Sequence, residues 1–298
     1  MPISFGLNVW SRLVEKTFPY LDQTFKPFDS LWMPDHVQYT DNKVSEGWSL
    51  LAYAMARYPD KVCGHAVLCN NFRNPAHLAK MAATMQAFSD GNLVLGIGAG
   101  WNKEEYLAYD WDFPSAKVRI AQLAEAIQLI RTMWTEAPAS YQGEYYQISG
   151  AYCEPRPALI PPVMVGGSGE RYLLRVVAQH ADWWNYIYTD RETYIHKQNV
   201  LKEHCRAAGR NYDEIVQMTN NGILIAPNEQ ELKKLQDDPD VRPYAPGTLV
   251  GTPEQIVDQL SEAIDQGATY ITTHFCDVPR PDGTLLFAEE VIPKLRNK

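Results

Sequence analysis

Long apolar runs are missing: nothing in the 298 residues approaches the roughly 20 consecutive apolar residues that cross a bilayer, so no membrane span is expected. Basic residues are in the minority. Against 36 Asp and Glu stand 27 Lys and Arg, a formal net charge of -9, and no dense basic run occurs. Binding a phosphate backbone needs a basic surface or patch, so nucleic acid is excluded as the main partner. Cysteine is scarce as well. Cys63, Cys69, Cys153, Cys205 and Cys276 are odd in number and scattered, and no pair has CxxC spacing. That excludes a disulfide framework or a zinc site as the organising device, and no metal is expected. Reduced thiols and a cytoplasmic location are the expectation. The start, "MPISFGLNVW", has no basic stretch leading into a long apolar segment, so a signal peptide is not expected. Ser-His-Asp order, HExxH and a P-loop lysine motif are all absent.

What is present is alternation. Strand-like runs at 3–9, 29–36, 61–70, 93–100, 162–167, 182–187, 215–226 and 269–275 are separated by helix-like segments. The first helix, 11–25, is expected to be interrupted by Pro19, and the last covers 284–296. Asn74, Pro75 and Gly91 punctuate the helix over 74–91, and Thr252 with Pro253 opens that over 252–267. Ile120, Leu123, Ile127, Ile130 and Trp134 recur at helical spacing and predict one buried stripe. "ASYQGEYYQISG" (139–150) predicts an inserted hairpin around Gln142-Gly143. An open doubly wound sheet and a closed barrel both satisfy this order. No linker or composition shift divides the chain, and its length suits a basic barrel of about 250 residues plus insertions. The expectation is α/β, a single (β/α)8 TIM-barrel domain over 1–298 with a hairpin-like insertion.

"LVLGIGAGWNKEEY" (93–106) tests a nucleotide-loop reading and fails it. Gly96, Gly98 and Gly100 lack G-x-G-x-x-G spacing, and the next clear helix pattern begins near Val118. Gly96 and Gly98 read as packing glycines. A better anion seat is "VMVGGSGERYLLRVV" (163–177), where Gly166, Gly167, Ser168 and Gly169 run from a strand into a helix pattern. Two readings stay open there: a seat for one phosphate, or a plain turn with Ser168 as helix cap.

Active sites of barrels gather at the C-terminal ends of the strands. Those ends carry Asn8, then Asp35 and His36, then Cys69, Asn70 and Asn71, then Trp101 and Asn102 with Glu104 and Glu105 following, and finally His274. His36 beside Asp35 is the acid–base candidate, because imidazole titrates near neutrality; a structural pair closing the strand is the alternative. Glu104 and Glu105 rank lower, since first turns of helices attract carboxylates anyway. Trp48 and Trp101 suit a pocket for a flat ring, although Trp is also good core.

"LWMPDH", the stretch "VLCNNFRNPAHLAKMAATMQAFSDGNLVLGIGAGWNKEEYLAYDWDFPSAKVRIAQLAEAIQLIRTMWTE", and "PPVMVGGSGERYLLRVVAQHADWWNY" together resemble the bacterial luciferase-like oxidoreductase superfamily, in particular its branch using the deazaflavin coenzyme F420. The resemblance runs from strand one to at least residue 187 and is most specific over 67–136. It implies a flavin or deazaflavin at the barrel mouth and hydride transfer to or from a small organic substrate. It further implies Asp35 and His36 near the reactive ring, and Ala66–Val67 as a non-prolyl cis bond against its face. Asn70 is expected at the coenzyme, and Gly166, Gly167, Ser168 and Gly169 hold its phosphate, with Arg171 and Arg175 near the acidic tail. The insertion helps cover the site, and a homodimer is expected from the resemblance alone. Asn8, Trp48 and Trp101 are the expected substrate-pocket residues. Sugar-phosphate-oxidising relatives carry a glutamate where this chain has Trp101, which suggests a more apolar substrate. An FMN-dependent monooxygenase and a non-catalytic flavin-binding barrel are the alternatives.

Overall fold

The computed structural model describes residues 2–39, 43–241, 245 and 247–296. Eight parallel strands close on themselves: β1 (Ser4–Asn8), β2 (Ser30–Met33), β3 (Val62–His65), β4 (Leu93–Gly98), β5 (Val163–Gly166), β6 (Trp183–Ile187), β7 (Val216–Ile225) and β8 (Tyr270–Phe275). Each pairs with the next, and β8 returns to β1 with Ser4 opposite Tyr270 and Leu7 opposite Thr273. The closed barrel of the sequence reading is therefore the fold, and the open sheet is excluded. The long β7 also pairs at its far end with a short strand, Leu249–Gly251.

Around the barrel lie α1 (Thr17–Thr24), α2 (Gly47–Arg57), α3 (Pro75–Phe88), α4 (Lys103–Ala108), α5 (Ala116–Thr135) and α6 (Leu173–His180). They are followed by α7 (Arg191–Ala208), α8 (Glu229–Gln236), α9 (Pro253–Asp265), α10 (Asp282–Glu290) and α11 (Ile292–Leu295). The caps follow the sequence signals. Asn74 Oδ1 accepts from the N–H groups of Ala76 and His77, Thr252 and Gln255 form a reciprocal box, and Gly209 ends α7 at φ 66°. Leu123, Ile127, Ile130 and Trp134 of α5 are buried as one stripe, while Ile120 turns to the barrel mouth.

Four expectations are corrected. Pro19 does not interrupt its helix: it sits in the first turn of α1, where its missing N–H has no intrahelical acceptor to lose. The last helix is two, α10 and α11, with Pro293 starting the second. α4 and α8 are short helices that the periodicity did not reveal. α6 begins at Leu173, not near Gly169, and Ser168 does not cap it.

The interior has two layers. A plug of Trp32, Val94, Met164, Met218 and Tyr270 fills the lower barrel, with Trp183 packed against it. The larger core lies between strands and helices. Above the plug the barrel is open, and there the strand ends meet.

Candidate active site

β3 is broken. After His65 the chain passes through a cis bond between Ala66 and Val67 before Leu68–Cys69 pairs with Ile97 and Gly98. Glycines make room for this bend. A Cβ on Gly96 would stand 1.8 Å from the His65 carbonyl oxygen, and one on Gly98 or Gly166 would stand 2.7 or 2.8 Å from a Val67 methyl. Gly96 and Gly98 are thus packing glycines, as the sequence reading had it. The result is a cavity of about 380 Å³ at the C-terminal ends of β2 to β7.

His36 lines this cavity, and its partner is Glu105. His36 Nδ1 lies 2.7 Å from Glu105 Oε1, which also accepts from Asn102 Nδ2 at 2.7 Å. Glu105 Oε2 accepts from the N–H of Val37 at 2.9 Å and of Gln38 at 3.4 Å. Burial alone would raise the Glu105 pKa, but the His36 contact and the Val37 N–H outweigh it and hold the carboxyl below the usual range. Glu105 is therefore an ionised acceptor, so the shared proton resides on Nδ1 and the other ring nitrogen, Nε2, is left to act. Trp101, 64% exposed, meets the His36 ring edge-on at 6.1 Å.

Asp35 also lines the cavity, but its carboxylate turns to Arg73. Its carboxylate, fully buried, takes Arg73 Nη1 at 2.7 Å and Nη2 at 2.9 Å, plus the Cys69 N–H at 2.9 Å. Arg73 also pairs with Glu46, the cap of α2. This ion pair ties the end of β2 to the end of β3. It occupies both Asp35 oxygens, so the acid–base expectation for Asp35 is corrected to a positioning one.

The turn 166–169 opens onto the same cavity through Gly166, Gly167 and Gly169. Gly167, at φ 127°, is fixed by its N–H to the Asn185 carbonyl at 3.1 Å and by Trp184 Nε1 on its own carbonyl at 2.8 Å. Ser168 is half-buried and does not line the cavity. The side chain of Glu170 is drawn away to Lys197 and His196. Arg171 and Arg175 are exposed.

Of the other expected residues, Trp101, Ala66 and Val67 line the cavity; Asn8, Trp48 and Asn70 do not. Asn8 is buried at the end of β1. Trp48 stacks on His65, centroids 5.8 Å apart, because Glu46 accepts from its N–H and starts α2 with the ring turned inward. Asn70 Nδ2 donates to Tyr146 Oη at 3.1 Å. Tyr146 belongs to the inserted hairpin, Ala139–Gln142 with Gln147–Ala151, whose turn is held by the Glu125 carboxylate of α5. The hairpin thus lies alongside α5 and contributes no lining residue, which corrects its expected role as a cover. His274 packs against Trp10 outside the cavity lining.

Sequence reasoning missed several lining residues: Tyr106, whose hydroxyl is 2.9 Å from Cys69 Sγ, Arg119, Asn185 and Asn220. Strand alternation above Trp183 and Met218 was the available signal for the two asparagines. Among the described residues no cluster suited to a metal ion is present, and no helix is long and apolar enough to cross a membrane.

Residues 27–245 match the luciferase-like monooxygenase family, and the chain belongs to it. An F420-dependent glucose-6-phosphate dehydrogenase of Amycolatopsis mediterranei strain U-32 is 28% identical over 305 residues, 90% of each chain. An F420-dependent secondary alcohol dehydrogenase solved with an F420–acetone adduct superposes with a TM-score of 0.86 at 18% identity, over 99% of this chain and 100% of that one. The EDTA monooxygenase from Chelativorans sp. BNC1 has the same fold, with a TM-score of 0.81 at 15% identity over 100% of this chain and 94% of that one.

Proposed function

We propose that this chain is an F420-dependent oxidoreductase that transfers a hydride between the deazaflavin and a neutral, largely apolar small organic molecule. The carrying observation is that His36, held by Glu105, shares one cavity with the Ala66–Val67 bend and the turn at 166–169. Ala66, Val67, Gly98 and Gly166 leave a small-sided surface that suits a ring, and the backbone of Gly166, Gly167 and Gly169, which lines the same cavity, suits an anionic tail. The coenzyme identity is supported by the names of the relatives. When bound, the deazaflavin supplies the two-electron hydride carrier.

The residues then divide the remaining work. His36 gives or takes the substrate proton through Nε2, Glu105 holds its tautomer, and Asp35 with Arg73 fixes the loop that carries His36. Trp101, Leu173 and Ile187 give the cavity an apolar wall, with Trp101 and Ile187 at its exposed rim. A phosphorylated substrate is disfavoured. The permanently cationic side chain among the described lining residues is Arg119, and it is turned to the carbonyls of Ala99 and Pro114 over the Phe113 ring. We read the whole of 1–298 as one catalytic domain acting on a small molecule.

Anaerobic titration of the coenzyme decides the matter: F420 fluorescence is expected to quench on binding, and tight FMN binding with none of F420 would overturn the reading. That second outcome favours an FMN-dependent monooxygenase, a reading supported by the family to which the chain belongs. Turnover unchanged in His36→Ala, with every reducible substrate tried, would remove His36 from the chemistry and favour a flavin-binding barrel without catalysis.

A further inference from the structure

Two carboxamides at the cavity floor take no part in the scheme above. β6 and β7 alternate their side chains, so Asn185 follows Trp183 inward and Asn220 follows Met218. Both line the cavity directly above the apolar plug. Asn185 is 6% exposed, and its Nδ2 and the Asn220 Oδ1 are buried with no hydrogen-bond partner among the described residues. A buried donor or acceptor without a partner carries its full desolvation penalty, so a fold gains nothing by keeping two of them in one cavity. The rest of the floor is built otherwise, from Ala66, Gly98 and Gly166.

We propose that Asn185 and Asn220 form a recognition pair for a neutral ligand group with an acceptor beside an N–H, such as the edge of a lactam, imide or cyclic urea. An unpaired donor and an unpaired acceptor face one cavity from adjacent strands, Asn185 level with Met218 and Asn220 level with Ile187, and complement the two atoms of that edge. Turning over both amides leaves the same complement, so the ligand class does not depend on which way each amide points. A carboxylate or phosphate would meet an acceptor with no cation beside it, and a hydrocarbon would leave both amides unpaired. The proposal rests on the cavity being the ligand site, as in the proposed function. The edge can belong to the coenzyme ring or to the substrate.

The test uses Asn185→Leu and Asn220→Leu in the full chain, with uracil and 1,3-dimethyluracil as probes in saturation-transfer NMR, and F420 binding by fluorescence. The native chain is expected to bind uracil and to bind dimethyluracil at least tenfold more weakly. Each leucine variant should lose that preference while melting no lower than the native chain, because an unpaired amide has been replaced by a side chain of similar size. A merely structural pair would give a lower melting temperature instead, and would overturn the proposal. Equal binding of both pyrimidines by all three proteins would overturn it too. F420 affinity falling at least tenfold in the variants assigns the edge to the coenzyme. F420 affinity unchanged, with uracil still bound by the F420-loaded protein, assigns it to the substrate. Unchanged F420 affinity with uracil excluded on loading would overturn the pair's role. Should F420 fail to bind the native chain while the uracil preference stands, the coenzyme reading falls and the pair survives.

Discussion

Glu105 is 1% exposed and carries four donors on two oxygens, His36 and Asn102 on one, the Val37 and Gln38 amides on the other. Such a carboxylate orients an imidazole more firmly than a solvated one, because no water competes for its lone pairs. Glu105→Gln keeps the shape and removes the charge, so His36 loses the partner that fixes its proton on Nδ1. The expected outcome is a fall in kcat of about 100-fold with KM within threefold, within the range of general acid–base effects. Nitrogen NMR of the ring should also show Nδ1 no longer uniformly protonated; an unchanged ring spectrum with unchanged kcat would rule out the positioning role. Asp35 carries a different expectation. Asp35→Asn leaves Arg73, whose side chain is 12% exposed, with only the half-exposed Glu46, and removes the charged acceptor of the Cys69 N–H. Breaking a buried pair from one side costs about 3 kcal/mol or more, which urea unfolding would read directly. A loss below about 1 kcal/mol would mean that the pair is solvated in solution.

Elements were legible where their signals were local. Eight strands, the caps of α3 and α9, and the hairpin all came from residues within a few positions of one another. α4 did not, since six residues, "KEEYLA", give no period to detect. For the same reason Glu105 was underrated: its donors at 36, 37 and 38 lie 69, 68 and 67 positions away, and no spacing rule spans that distance. Asn70 was placed correctly at a strand end, whereas Trp48 lies in the first turn of α2; side-chain direction at the two is set by Tyr146 and Glu46, which pattern alone does not couple to them. The bend in β3 was expected from family resemblance, and the glycines facing it give it a physical test at the element scale. Gly98→Ala puts a methyl against a Val67 methyl at 2.7 Å, which Val67 can relieve by shifting, whereas Gly96→Ala puts one 1.8 Å from a backbone oxygen that cannot. Gly98→Ala should cost about 1–3 kcal/mol and weaken coenzyme binding, while Gly96→Ala should cost more than about 3 kcal/mol or prevent folding. Equal unfolding midpoints for the two variants would contradict this packing account.

At the scale of the whole molecule, acid stability rests on buried histidines that the fold keeps uncharged and on paired carboxylates that it keeps charged. His65 is 1% exposed, stacked on Trp48, with Nε2 lacking a hydrogen-bond partner among the described residues. Burial pushes its pKa down to about 4, against the opposing pull of Asp35. His180 is lowered in the same sense by burial and by Arg131 and Arg210. A histidine depressed in the folded state binds its proton first in the unfolded chain, so stability falls as pH drops. The window follows from the His65 values, 6.5 and about 4: its contribution is complete above the upper one and lost progressively down to the lower. A shift of that size corresponds to about 3 kcal/mol for His65. Glu46 acts lower, overlapping only the acid end of this window. Burial works against it, but Ser49 and Arg73 bring its pKa down to about 2, so its share is lost only as pH falls from 4.5 towards that value. Urea unfolding at pH 7 and at pH 4.5 should therefore differ by a few kcal/mol in the native chain and by clearly less in His65→Gln, which cannot take up the proton. An equal acid loss in both proteins would place the sensitive group elsewhere, with His180→Gln the next variant to measure.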